Sequence, residues 1–151
     1  MKNINIEAGL AAFFTQDHRD CDAQWAEVEG ILDSSGTEAG RDKWRVFEAR
    51  MRRHFAMEEE VLFPAFNARS RMGGGGPTAI MTMEHEQMRG LLDQIGAAVD
   101  SGDAEEAMNL GDTLLMLIQQ HNVKEEGMLY PMAENVLAGH WVNLATKLEN
   151  Y

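Results

Sequence analysis

One feature limits this chain more than any other: it repeats itself. The run His54-x3-Glu58-Glu59-x2-Leu62-Phe63-Pro64 recurs as His121-x3-Glu125-Glu126-x2-Leu129-Tyr130-Pro131, an offset of 67 residues. The same offset carries His18 onto His85, acidic Asp17 onto acidic Glu84 and Gly9 onto Gly76. A repeat of this length is one supersecondary unit, and two such units bury their apolar faces against each other. The expected chain is therefore a single domain, 1–151, built from two pseudo-symmetric halves, about 1–70 and 71–138.

Each half reads as a helical hairpin. Helix formers dominate, alternating β-branched stretches are nearly absent, and turn residues cluster at separable places. Asp33–Thr37, Gly73–Pro77 and Asp100–Asp103 read as turns, and Gly139 as a C-terminal break. Long helices are predicted at about 4–32, 38–70, 78–100 and 103–137, with a short tail helix from about 140. Short loops between long helices favour antiparallel neighbours, so the predicted fold is an all-α, up-down-up-down four-helix bundle.

The repeated polar residues fall on the core stripes. His54 with Glu58, and His121 with Glu125, are i,i+4 pairs on one helix face. Phe47, Met51, Val61 and Ala65 extend the stripe of the second helix, and Leu114, Ile118, Met128 and Met132 that of the fourth. On the first helix His18 lies in line with Phe14, Cys21 and Trp25, and on the third His85 with Met81, Met88 and Leu92. Two carboxylates and four imidazoles inside a core cost several kcal/mol per uncompensated charge, so they call for paired charges or a metal.

Cys21 is the only cysteine, which removes disulfides and thiolate clusters and leaves histidine and carboxylate as ligands. Such ligands suit iron, manganese, zinc or copper. With Glu58 and Glu125 bridging, one ion takes His18 and His54 and the other His85 and His121. Octahedral ions then keep open positions for a solvent-derived bridge and a small diatomic or peroxide, the arrangement of a di-iron centre that binds or activates oxygen. The Glu-x-x-His pairs of ferritin-like bundles and the His-Glu-x-x-His of zinc proteases are absent.

Through His18 in DHRDCD, His54 and Glu58 in HFAMEEEVLFP, His85 in MEHEQMRGLL, and His121 and Glu125 in HNVKEEGMLYP, nearly the whole chain resembles the hemerythrin family, in particular its HHE cation-binding branch. The resemblance implies a non-haem centre of two iron ions with an oxo or hydroxo bridge, binding dioxygen, peroxide or nitric oxide. Oxygen-carrying members have a further histidine where Arg89 stands and an aspartate where Glu125 stands. The chain is thus more similar to bacterial HHE proteins, whose roles include oxygen or iron sensing, peroxide decomposition and repair of iron centres. A sensor without turnover and a metal-stabilised structural bundle are the alternative expectations.

Other residues have plainer readings. Glu59 and Glu126 lie about 100° round the helix from their neighbours, which predicts a solvated or salt-bridging role. The Leu-aromatic-Pro runs predict packing and a helix irregularity or end. Cys21 reads as a small hydrophobe, the methionines beside the histidines as apolar lining, and His140 as lying outside the site. Arg52 and Arg53 read as surface ion pairs. A net charge of −12 argues against nucleic acid and anionic membrane as partners. No apolar run is long enough to span a bilayer and no leader is recognisable, which predicts a cytoplasmic protein.

Overall fold

A computed structural model, which describes residues 3–72 and 75–151, is helical and contains no strand among those residues. A 3-10 turn at Ile6–Ala8 leads into α1 (Leu10–Met57), followed by α2 (Phe63–Arg69), α3 (Pro77–Asp100), α4 (Ala104–Lys124), α5 (Tyr130–Val136) and α6 (Trp141–Leu148). Helix α1 is two arms joined at Gly36, whose φ of 84° and ψ of −176° are open essentially to glycine alone. The turn predicted at Asp33–Thr37 is thus a one-residue hinge. Glu58–Leu62 and Glu125–Leu129 are π-helical turns that splice α1 to α2 and α4 to α5. Four long helices result, with the short tail helix α6 added, so the all-α bundle expected from the sequence is the observed fold. Of the glycine-rich loop predicted at Gly73–Pro77, residues 73 and 74 lie outside the described residues.

Local sequence sets the ends. Gly9 and Gly76, equivalent in the repeat, are the residues before α1 and α3. The Asp103 carboxylate accepts from the Glu106 N–H at 3.0 Å and caps α4. Inside, two apolar clusters form. One gathers Leu10, Phe14, Leu62, Phe66, Leu129 and Leu148, the other Trp25, Trp44, Phe47, Leu92, Ile95 and Leu114. On every long helix the repeated spacing places the site residues between these clusters, so a polar belt divides the apolar core.

The second cluster is closely packed where α4 passes the first arm of α1. A Cβ added to Gly111 would lie 2.1 Å from Trp25 Cζ2 and 2.4 Å from Cη2, atoms of a buried rigid ring. Gly111→Ala gains roughly 1 kcal/mol of helix propensity, but overpacking of this kind costs about 1–3 kcal/mol. Gly90 in α3 has no atom within 4 Å of its added Cβ. The expected result in urea denaturation is a lower midpoint for Gly111→Ala and an unchanged or higher one for Gly90→Ala.

Candidate metal centre

The structure brings all six predicted residues together, and all six are buried. His54 Nε2 lies 3.1 Å from Glu58 Oε1, and His121 Nε2 lies 3.1 Å from Glu125 Oε1, as the i,i+4 spacing requires. Each glutamate also reaches across the repeat: Glu58 Oε1 is 3.2 Å from His85 Nε2, and Glu125 Oε1 is 3.1 Å from His18 Nε2. Two overlapping groups of potential ligands follow. Glu58, His85, His121 and Glu125 form one, and His18, His54 and Glu125 the other, with atoms within 4.8 Å of one another in each.

Both π turns begin on these glutamates. The Phe63 N–H donates to the Glu58 carbonyl and the Tyr130 N–H to the Glu125 carbonyl, five residues back. Pro64 and Pro131 follow directly. Proline has no N–H to give and crowds the preceding turn of an α-helix, and a widened turn relieves both constraints. The extra residue advances the inward stripe by one position. Met128, expected in the core, is 47% exposed, while Leu129, Tyr130 and Ala133 are buried. On the other hairpin Val61 stays buried, Ala65 is only half-buried, and Leu62, Phe63 and Phe66 fill the core.

That shift corrects the reading of Tyr130 as a packing residue. Its hydroxyl lies 2.9 Å from Glu58 Oε2, 3.0 Å from Glu125 Oε1 and 3.0 Å from His18 Nε2. Burial, followed by the charges of Glu125 and Glu58, raises its pKa well above the ordinary tyrosine value, so the hydroxyl keeps its proton and donates a hydrogen bond. Its repeat partner Phe63 has no hydroxyl and stacks on His85, with centroids 5.8 Å apart and rings at 14°. The two halves of the site therefore differ by one proton donor. Tyr130→Phe is expected to fold, since phenylalanine fills the equivalent place. Losing a hydrogen bond to a carboxylate costs about 1.5–3 kcal/mol, read as a lower thermal midpoint.

The far nitrogens of the imidazoles are anchored by a second ring of carboxylates. Nδ1 lies 2.8 Å from Glu126 in His18, 2.8 Å from Asp17 in His54, 2.6 Å from Glu59 in His85 and 2.9 Å from Glu84 in His121. The pattern obeys the repeat: Asp17 and Glu84 serve the second histidine of their own half, and Glu59 and Glu126 serve the first histidine of the other half. Glu59 and Glu126 thus take the salt-bridging side of the role expected of them, here toward histidines of the site, a role their recurrence in the sequence signalled. Arg53, expected in a surface ion pair, instead donates to Asp17 at 3.2 Å beside Arg50 at 3.0 Å. Arg89 pairs with Glu59 at 2.7 Å, Arg19 with Glu126 at 3.6 Å, and Lys124 with Glu84.

Every outer carboxylate thereby has its own cation. Among the described residues, the two central ones, Glu58 and Glu125, pair with no arginine or lysine. With each Nδ1–H donating outward, the four Nε2 lone pairs face these two anions. Glu58 Oε1, Glu125 Oε2, His85 Nε2 and His121 Nε2 are buried without a hydrogen-bond partner. Such atoms are rare in folded proteins and costly, and oxygen and nitrogen donors converging on one point fit a metal ion. In the protein without metal, protons take up part of the imbalance. Burial alone would lower the pKa of His54, His85 and His121, but the opposing charge and hydrogen bonds of the carboxylates leave all three raised, His54 the most. Burial opposes ionisation of Glu58, yet His54 and its other partners hold it well below the carboxylate range.

The remaining predicted residues are not among the candidate ligands. Burial pushes the Cys21 thiol up, so it packs as a neutral side chain. His140 precedes α6, away from the site. Arg52 makes the expected ion pairs, with Glu48 at 3.0 Å and Asp93 at 2.6 Å. Arg89, at the position where oxygen carriers have a histidine, turns outward over the Phe55 ring at 5.3 Å.

The family model described as the hemerythrin HHE cation binding domain matches residues 9–133, which include all six buried residues. No curated protein matches the chain, and no solved structure does.

Proposed function

The chain belongs to the hemerythrin HHE cation-binding domain family, and from that premise we propose that it holds two iron ions and binds dioxygen, peroxide or nitric oxide at an open iron position. The observation that carries this reading is the pair of uncompensated buried glutamates, each within 3.2 Å of imidazoles from both halves of the bundle. His18 and His54 would hold one ion, His85 and His121 the other, with Glu58 and Glu125 bridging. Bound iron supplies electrons, one per ion, and vacant positions for a small ligand.

The protein's own groups determine how that chemistry is confined. Glu58 and Glu125 neutralise charge inside the core. Asp17, Glu59, Glu84 and Glu126 fix each imidazole so that Nε2 faces inward, the arrangement that holds ligand orientation in metal sites. Tyr130 holds a proton at its hydroxyl, beside both central carboxylates. A small cavity of about 10 Å³ lies against His18, His54 and His121, walled otherwise by Cys21, Met51, Phe55, Met88, Ile118 and Asn122. Its size is that of about one water, and its walls are mainly apolar, which favours an uncharged diatomic over larger substrates. No helix of the described residues is long and apolar enough to cross a membrane. The acidic charge supports a partner that is neither nucleic acid nor anionic lipid, and the absence of paired cysteines is compatible with the cytoplasm.

The test is to reduce iron-loaded protein under nitrogen and mix it in turn with dioxygen, hydrogen peroxide and nitric oxide. A stoichiometric change in the visible spectrum with at least one of them is expected. Identical spectra with all three would overturn the proposal.

A further inference from the structure

A sizeable pocket lies apart from the buried histidines. It measures about 430 Å³ and lies on the outer side of Asp17, lined in part by Asn3, Ile4, Asn5 and Ala8 before α1 and by the end of α6 with Tyr151. Its size falls in the range of small-molecule sites. The wall is mainly apolar, with Ala12, Phe13, Met57 and Leu148 among its residues, and Arg50 and Arg53 stand at its polar end.

The hydrogen bonds at that end are unbalanced. All four carboxylate oxygens of the two aspartates are already engaged. Asp17 Oδ1 accepts from Arg50 and Arg53, and Asp17 Oδ2 faces His54 Nδ1. Asp20 Oδ2 accepts from Arg50, and Asp20 Oδ1 accepts from Gln16. Each arginine, by contrast, uses only Nη2, and among the described residues neither Nη1 donates to any protein atom. Their Nε atoms are also unpartnered. The two arginines therefore have donors to spare, in the planar geometry that suits a carboxylate, while every oxygen of the two aspartates already has a partner. In the other half, Leu117 and Gln120 stand where Arg50 and Arg53 stand here, so this chemistry belongs to one side of the bundle only.

We propose that this pocket binds a small organic monocarboxylate, its apolar body against Phe13, Met57 and Leu148 and its carboxylate on the Nη1 side of Arg50 and Arg53. The same arginines hold Asp17, and Asp17 holds His54. Occupancy thus bears on one histidine of the candidate metal centre and not on its repeat partner His121. This second part rests on the proposed function, whereas the binding itself does not.

Octanoate is the probe, with octylamine and octanol as matched controls for the charge. Calorimetric titration of the full chain is expected to show one octanoate per chain and no comparable binding of either control. Ala12→Phe narrows the pocket without touching either arginine and is expected to weaken octanoate at least tenfold while the far-ultraviolet spectrum stays unchanged. Arg53→Met should weaken it as well. No octanoate binding, equal binding of the three probes, or full affinity in Ala12→Phe would overturn the pocket assignment. A competition titration with iron reads the link: saturating octanoate is expected to change the apparent iron affinity of the chain but not of Ala12→Phe. Bound octanoate with unchanged iron affinity would overturn the link to His54 and leave the pocket standing.

Discussion

Glu125→Ala is expected to abolish stable metal binding at both halves of the site. Glu125 is the one residue common to both groups of potential ligands, lying 3.1 Å from His121 and 3.1 Å from His18. Its removal would take away both oxygens of a proposed bridging ligand, a buried carboxylate that pairs with no arginine or lysine among the described residues. Loss of an outer partner of a metal ligand commonly costs 10–100-fold in affinity, so loss of the ligand itself should exceed roughly 100-fold. Glu125→Gln keeps the shape and the neighbouring Tyr130 contact and separates charge from packing; it too should lose metal, with the fold retained. Metal per chain after gel filtration, with circular dichroism on the same samples, checks both variants. Undiminished metal in Glu125→Ala would remove that residue from the site.

Stripping the metal by chelation should be the next largest effect. A ligand present at about a thousand times its dissociation constant stabilises the folded chain by about 4 kcal/mol, and in a domain of this size each kcal/mol moves the thermal midpoint by roughly 2–4 °C. The stripped protein should therefore melt about 8–16 °C lower. Its pH dependence has a definite sign. His54, His85 and His121 bind protons more tightly folded than unfolded, so their contribution is complete below the ordinary histidine value near 6.5 and is lost as pH rises through the raised folded values. The gap between loaded and stripped midpoints should widen from about pH 6 to 8. Scanning calorimetry across that range reads it, and equal midpoints at every pH would contradict the account.

The bundle and the six buried residues could be read from one sequence because a repeat imposes the same constraint twice. His18 alone is a histidine on an apolar stripe, but His18 and His85 at the offset of His54 and His121 are half of a two-fold arrangement. What escaped sequence reasoning has a common physical cause. A stripe extrapolated at 3.6 residues per turn fails where the helix takes a π turn, which is why Met128 is outside and Tyr130 is at the centre. Leu-aromatic-Pro in both halves marked the irregularity without giving its pitch. Glu59 and Glu126 were placed correctly off the inward face, yet that side of the helix meets a histidine of the opposite hairpin, a contact no single-helix projection contains. The cations on the outer carboxylates break the repeat, so no internal comparison reveals Arg53 on Asp17 or Lys124 on Glu84.

In the proposed function the two buried glutamates and four imidazoles hold a pair of redox-active iron ions. Metal analysis of freshly purified protein, together with its visible spectrum before and after anaerobic reduction and again after exposure to air, tests it most directly. The account predicts two irons per chain and a charge-transfer band that bleaches on reduction and returns in air. Less than one iron per chain, or zinc with no spectral response, would contradict it.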